Sequence, residues 1–390
     1  MCLTKQVQNN GSQSFKRRAF VGSVVGFVAI AVGGISGPAT GAERSTSTRK
    51  RPATKQKPST TKRVSTTVPR VATSVVRAPV TTRSEKVVVY SGRAERLVKP
   101  LFDTFRFETG IDVEVRYADS SQLAATLIEE GSRTKAAVFF SQDAGALGAL
   151  SKRGLLATVP ANLLQKVPAQ FRSAKGEWVG VSGRSRVFLV DPRQVPIPPD
   201  SVDSLLDPKW RGKIGFVPTN ASWHSFVTAL RQIKGEAGAR TWLVGLKANN
   251  PRTYASNALA AQAADRGDVA IALVNHYYLY ELAAGDLTKV TARNAFAQPG
   301  DAGALVNVAG VGILKNSASD SSAVELIEFL LSKQAQEYFA QRTYEYPLIS
   351  TVRASPELPP LSNLGSPLVD LSDLDTIDES LKLLREVGLL

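Results

Sequence analysis

From Lys86 the chain reads KVVVYSGRAERLVKPLFDTFRFETGIDVEVRY, and this stretch restricts the fold more than any other. The apolar run Val87 to Tyr90 has the length of a buried strand. A helical pattern follows and stops at Gly110, after which Ile111, Val113 and Val115 alternate as one face of a second strand. Strand, helix and strand in this order make a βαβ unit. The alternation recurs. SSQLAATLIEEG reads as a capped helix closing at Gly131, AAVFF as a buried strand, and DAGALGALSKRGLL as a helix running into a loop. KIGFVP, SWHSFVTALRQIKG, EAGARTWLVGLKAN, NALAAQAADRGD and VAIALVN continue it. The class is α/β, and the expected sheet is mostly parallel with helices on both faces. In such sheets ligands sit beyond the carboxyl ends of the strands. Three strand-to-helix junctions then stand out: Tyr90-Ser91-Gly92-Arg93, Ser141-Gln142-Asp143 and Asn275-His276-Tyr277-Tyr278.

Charge places the remainder of the chain. The formal net charge is +14, yet residues 1–42 hold four basic and no acidic residues and residues 43–86 hold twelve basic and two acidic, so residues 87–390 are formally neutral. The basic character belongs to the N-terminal segments and gives no footprint for nucleic acid on the folded part. Residues 1–42 read as an export signal: Lys16, Arg17 and Arg18 precede an apolar run from Ala19 to about Ile35, and small residues follow near Gly41 and Ala42. Arg17 to Val21 also fits a loose twin-arginine pattern. An uncleaved membrane anchor is the alternative, since the run is close to the shortest that spans a bilayer. Residues 43–86, rich in Ser, Thr, Pro, Lys and Arg, are too polar to bury a core and read as a disordered linker that can serve as a tether to membrane or cell wall. The sole cysteine is Cys2, inside the export segment, so a mature chain has neither a disulfide nor a thiolate metal site. A metal would have to be held by oxygen or by His224 and His276.

The adjacent Tyr277 and Tyr278 suit one such metal. Tyrosine ligates only as the phenolate, and its ordinary pKa is about 10. A hard trivalent cation can displace that proton, and phenolate oxygen favours ferric iron over softer ions. At a strand-to-helix corner both rings can aim at one point. Adjacent tyrosines also arise by chance among nine in the chain, and then serve packing.

Seven blocks, in order, make the region from Val87 onward similar to the ferric-ion-binding solute-binding proteins of ABC iron importers. They are VVVYSGRAE, VFFSQDAGALGALSKRGLL, GVSGRSRVFLVDP, KWRGKIGFVPTN, VNHYYLYE, GDAGALVNVAGVGILKNS and YEYPL. The resemblance implies a two-lobed periplasmic-binding-protein type II fold with a hinge and an interlobe cleft. Residues 87–184 with 307–358 would form one lobe and 185–306 with 359–390 the other. It implies a monomeric, non-enzymatic, exported protein, periplasmic or at the cell surface. Such a protein takes Fe3+ together with a synergistic anion such as carbonate or phosphate and hands the iron to an ABC permease. Carried over, Tyr277 and Tyr278 are the metal ligands. Arg93, following Ser91 and Gly92 at a helix start, sits beside the anion, and Asn220, Ser222, Asn257 and Asn275 fall where family members bond the anion or iron-bound water.

The chain departs from the family at three ligand positions. Ala94 stands where some members place a histidine, Gln142 where others place a carboxylate, and Trp223 near the place of a third tyrosine. His224 and Tyr90 are the candidate replacements; His276 reads as orienting, and Arg184 and Arg186 as structural ion-pair partners. Competing readings remain: the same fold binding a small anion or organic solute without metal, an enzyme, or a structural envelope protein. The enzyme reading lacks a nucleophile–base pair.

Overall fold

The computed structural model describes residues 83–390. The export segment 1–42 and residues 43–82 of the linker lie outside the described residues. Arg83 and Ser84 already bond to the folded part, Arg83 Nε to Glu325 at 3.0 Å and the Ser84 amide to Ser322 Oγ at 2.9 Å.

The elements follow the alternation read from sequence. The first half runs β1 (Lys86–Ser91), α1 (Glu95–Thr109), β2 (Asp112–Tyr117), α2 (Ser120–Glu130), β3 (Val138–Ser141), α3 (Ala144–Lys152), α4 (Ala161–Leu164) and β4 (Val179–Val190). Then come β5 (Ile214–Phe216), α5 (Ala221–Ala248), β6 (Arg252–Thr253), α6 (Asn257–Arg266), β7 (Ile271–Asn275), α7 (Tyr277–Ala283) and β8 (Arg293–Ala295). The chain closes with β9 (Val306–Ile313), α8 (Ser321–Leu330), α9 (Lys333–Arg342), β10 (Tyr346–Pro347) and α10 (Ile377–Val387). Gly110 ends α1 at φ 74°, a left-handed value that suits a residue without Cβ. The two helices read around Gly235 form one run in which Gly235 (φ 69°, ψ 168°) breaks the helical geometry.

The strand order is β2-β1-β3-β9-β4-β7-β5-β6, with β8 and β10 also paired to β4. Pairs among β1, β2 and β3 and among β5, β6 and β7 are parallel. Every pair made by β4 or β9 is antiparallel, so the sheet is mixed rather than mostly parallel. The difference lies in those two long strands, which join the two βαβ regions and run against their neighbours. Along β4, residues up to Ser185 pair with β9, and from Arg186 onward the strand pairs with β7. Strand β4 therefore passes from one half of the sheet to the other between Ser185 and Arg186, with all twelve of its residues buried.

Two apolar clusters form the core. The larger gathers around β1, β3 and β9 and continues across β4 and β7 to α6 and α7. The other is built on Phe216, Trp223, Phe226 and Trp242 and is completed by Leu383, Leu384 and Val387 of α10. The tail touches both halves. Leu371–Asp375 lies against α3, where a Cβ on Gly148 would collide with the Ser372 carbonyl oxygen. Helix α10 packs on α5, where Arg231 donates to the Thr376 carbonyl at 3.0 Å. Among the described residues no helix is long and apolar enough to cross a membrane.

Candidate metal centre

Strand β7 is apolar and fully buried, so its end is rigid, and His276 follows it immediately as the cap of α7. The Ser185 amide donates to His276 Nδ1 at 3.2 Å, which leaves the ring proton on Nε2 for the Tyr344 carbonyl at 2.6 Å. Both ring nitrogens are thus committed, and His276 ties the start of α7 to β4 and to the segment after α9. Burial pushes its pKa down to about 4. Tyr277 and Tyr278 come next, half-buried, with ring centroids 4.4 Å apart and planes inclined at 33°. Both edge a cleft of about 900 Å3 that Gln142, Asp143, Asn220 and His224 also line.

The phenol of Tyr277 is held well above the ordinary tyrosine range, first by burial and then by Tyr278 beside it, while the charges of Arg184 and Arg93 pull it down. Tyr277 therefore stays protonated until something stronger than a proton competes for its oxygen. Two buried guanidiniums of β4 stand near the pair. Arg184 donates to the Gln142 carbonyl and lies 4.0 Å from Glu345, with Nε and Nη1 lacking hydrogen-bond partners. Arg186 donates to the Leu273 carbonyl at 3.0 Å and to Ser222 Oγ at 3.4 Å, and rests over Phe226. Burial lowers its pKa to about 10, against the pull of Tyr278 and Tyr277. Among the described residues Arg184 has an ion-pair partner and Arg186 has no carboxylate within ion-pair distance.

The remaining positions divide. Asn220 caps α5, its Oδ1 accepting from the Ser222 amide at 2.9 Å and the Ser222 hydroxyl at 2.6 Å. His224 bonds through Nε2 to the Pro218 carbonyl at 2.8 Å, so the proton lies on Nε2 and Nδ1 keeps its lone pair. Arg93 is 1% exposed, and its Nη2 contacts both oxygens of Glu345 at 2.9 and 2.8 Å. Its Nη1 donates to the Gln142 side chain at 2.7 Å, and Ser91 Oγ accepts from its amide. Tyr90 lies apart from the cleft: its hydroxyl donates to Glu130 at 3.1 Å and Arg116 covers its ring. Asn257 is buried in the first turn of α6 with its Nδ2 unpartnered, and Asn275 is the ladder partner of Arg186. Neither lines the cleft. Trp223 is core, 5.0 Å from the Phe216 ring.

Sequence reasoning assigns no role to two acids. Glu345, inside the YEYPL block, gathers Arg93, Arg184, Ser182 and Thr343. A lone acid in an apolar stretch was the available signal. Asp143 caps α3 with Oδ1 accepting from the Ala146 amide at 3.3 Å, and burial pushes its carboxyl up against the pull of Arg184. Among the described residues no three His, Cys, Asp or Glu side chains cluster as a metal site.

Residues 133–367 match the family described as bacterial extracellular solute-binding protein. The major ferric iron-binding protein of Neisseria meningitidis serogroup B is 35% identical over 312 residues, which span 78% of this chain and 93% of that protein. The Fe(3+)-binding periplasmic protein of Serratia marcescens is 31% identical over 319 residues, covering 80% and 93%. The crystal structure of iron-bound HitA from Pseudomonas aeruginosa superposes with a TM-score of 0.73 at 33% identity, covering 78% of this chain and 99% of that one.

Proposed function

We infer the role of this chain from a plain fact: it belongs to the ferric-ion-binding family of bacterial extracellular solute-binding proteins, with their two-lobed type II α/β fold. It is an exported protein that captures ferric iron in the cleft, with Tyr277 and Tyr278 as phenolate ligands and a small synergistic anion beside them. It delivers the iron to an ABC permease, as a monomer and without catalysis. The basic linker serves as a tether at the envelope. The observation that carries the reading is the pair of tyrosine rings 4.4 Å apart at the edge of one cleft.

The chemistry follows from charge. Ferric iron competes with the phenol protons, and two phenolates neutralise two of its three charges. Arg184 and Arg186 favour the phenolates but add positive charge to the same region. Their excess calls for an anion, for which Asn220 and Ser222 supply a polar corner that Arg186 supports. Arg93 acts on that anion through Gln142, which its Nη1 holds, while Glu345 holds its Nη2. His224 offers Nδ1 as a further donor.

The test is a titration of the purified protein with ferric nitrilotriacetate, carbonate present or withheld. A visible phenolate-to-iron band that saturates at one iron per chain supports the reading. A second reading, an anion or organic solute bound without metal, is favoured by the buried, unpartnered nitrogens of Arg184. It predicts ligand-linked stabilisation by the anion and no colour with iron.

A further inference from the structure

A second cavity, of about 220 Å3, shares Tyr277, Arg96 and Leu97 with the cleft and is otherwise lined by α7 and the segment that follows α9. Among the described residues three that are not glycine take a positive φ, Asn250, Ala284 and Tyr344, and the last two both line this cavity. Such conformations are sparsely populated for residues with a Cβ and collect where a ligand is held. Tyr344 is fixed in its place twice over. Its carbonyl accepts from His276 Nε2 at 2.6 Å, and its ring stacks on Tyr280 at 4.4 Å with planes inclined by 10°. Three guanidiniums and two carboxylates also line the cavity. Glu345 is taken by Arg93 at 2.8 Å, and Glu281 by Arg96 at 2.6 Å. Arg342, the last residue of α9, is exposed and has no hydrogen-bond or ion-pair partner among the described residues. One positive charge is therefore unanswered.

We propose that this cavity is a second solute site, which takes a small organic carboxylate independently of iron, with Arg342 as its first anchor and Arg96 as its second. A guanidinium presents parallel N–H groups that match a carboxylate. Leu97, Ala284 and the tyrosine rings supply an apolar wall, which favours a ligand with a carbon skeleton over inorganic phosphate. The volume equals about seven water molecules, which sets the ligand at about four carbons. Arg96 is already paired, so an entering carboxylate competes with Glu281 for it. That pair is exposed and weak, and it yields readily. Neither Asn220 nor Ser222 lines this cavity, so the site is separate from the anion corner of the cleft.

The inference does not rest on the ferric reading, and its test uses iron-free protein. Calorimetric titration with succinate should show one saturable site per chain. Arg342→Gln should weaken it by about ten-fold or more, the loss expected for one charge-assisted pair. Glu281→Gln should tighten it, because it releases Arg96. Ser222→Ala should leave it unchanged, and inorganic phosphate should compete poorly. No saturable binding of succinate, or binding that Arg342→Gln leaves intact, would overturn the proposal. Loss of succinate binding in Ser222→Ala would place the carboxylate in the cleft and overturn it as well, and equal competition by phosphate would overturn the choice of an organic ligand. None of these outcomes bears on the iron band, which is read separately.

Discussion

Replacing Tyr277 or Tyr278 by phenylalanine separates a ligand from a packing residue, because it removes one oxygen and keeps the ring. Either change should abolish or shift the iron band with little loss of stability. If the rings serve packing alone, Phe would leave iron binding intact and Ala would cost about 3 kcal/mol or more. Iron affinity of the wild type should rise with pH, since each ligand must lose a proton. Stability should follow a different pH law, set by His276. Its folded pKa is depressed from the ordinary 6.5 to about 4 by burial. The unfolded chain therefore binds the extra proton first, and the stabilisation is fully present above pH 6.5 and lost as pH falls toward 4. The loss is roughly 3 kcal/mol. Urea unfolding at pH 7 and pH 4.5 measures it, and His276→Gln should flatten the difference. At this scale the sequence disclosed local features, such as the tyrosine pair following the buried strand β7. The partner of Arg93 was not legible, because Glu345 lies 252 positions away and no local periodicity encodes such a pairing.

Among the elements, those with a strong local signal were readable from sequence: the strands β1, β3 and β7 as apolar runs, and α1 through its left-handed glycine end. The antiparallel course of β4 and β9 was not, since direction depends on which strands pair and not on the composition of either. Strand β4 did carry a sign. Arg184 and Arg186 stand in a wholly buried strand, and buried guanidiniums mark a site or an ion-pair network. Helix α3 offers an element-scale test. Gly148 has no Cβ because the backbone of the tail crosses it at Ser372. Gly148→Ala should push the 371–375 segment off the helix and destabilise the fold by about 1–3 kcal/mol, the usual range for overpacking. Limited proteolysis should then cut near residue 370 sooner than in the wild type.

For the whole molecule, closure is a balance between weak contacts across the cleft and whatever the ligand adds. Arg96, in the first turn of α1, reaches Glu281 on α7 at 2.6 Å, with side chains 67% and 33% exposed. An exposed pair of this kind contributes about 0–1 kcal/mol and is screened by salt. Such a contact steadies closure without locking it, which suits a carrier that must also release its cargo. Glu281→Gln should therefore lower ferric affinity by no more than about five-fold, the factor that 1 kcal/mol allows. It should leave the phenolate band unchanged, because the pair touches no iron ligand. Affinity should depend less on salt in the variant than in the wild type, because the screened pair is absent from it. The Glu281 effect should vanish at high salt, because an exposed ion pair is screened there. Titrations of the wild type and Glu281→Gln at low and high ionic strength decide the matter, and a difference that persists at high salt would mean that Glu281 acts through something other than its exposed pair with Arg96.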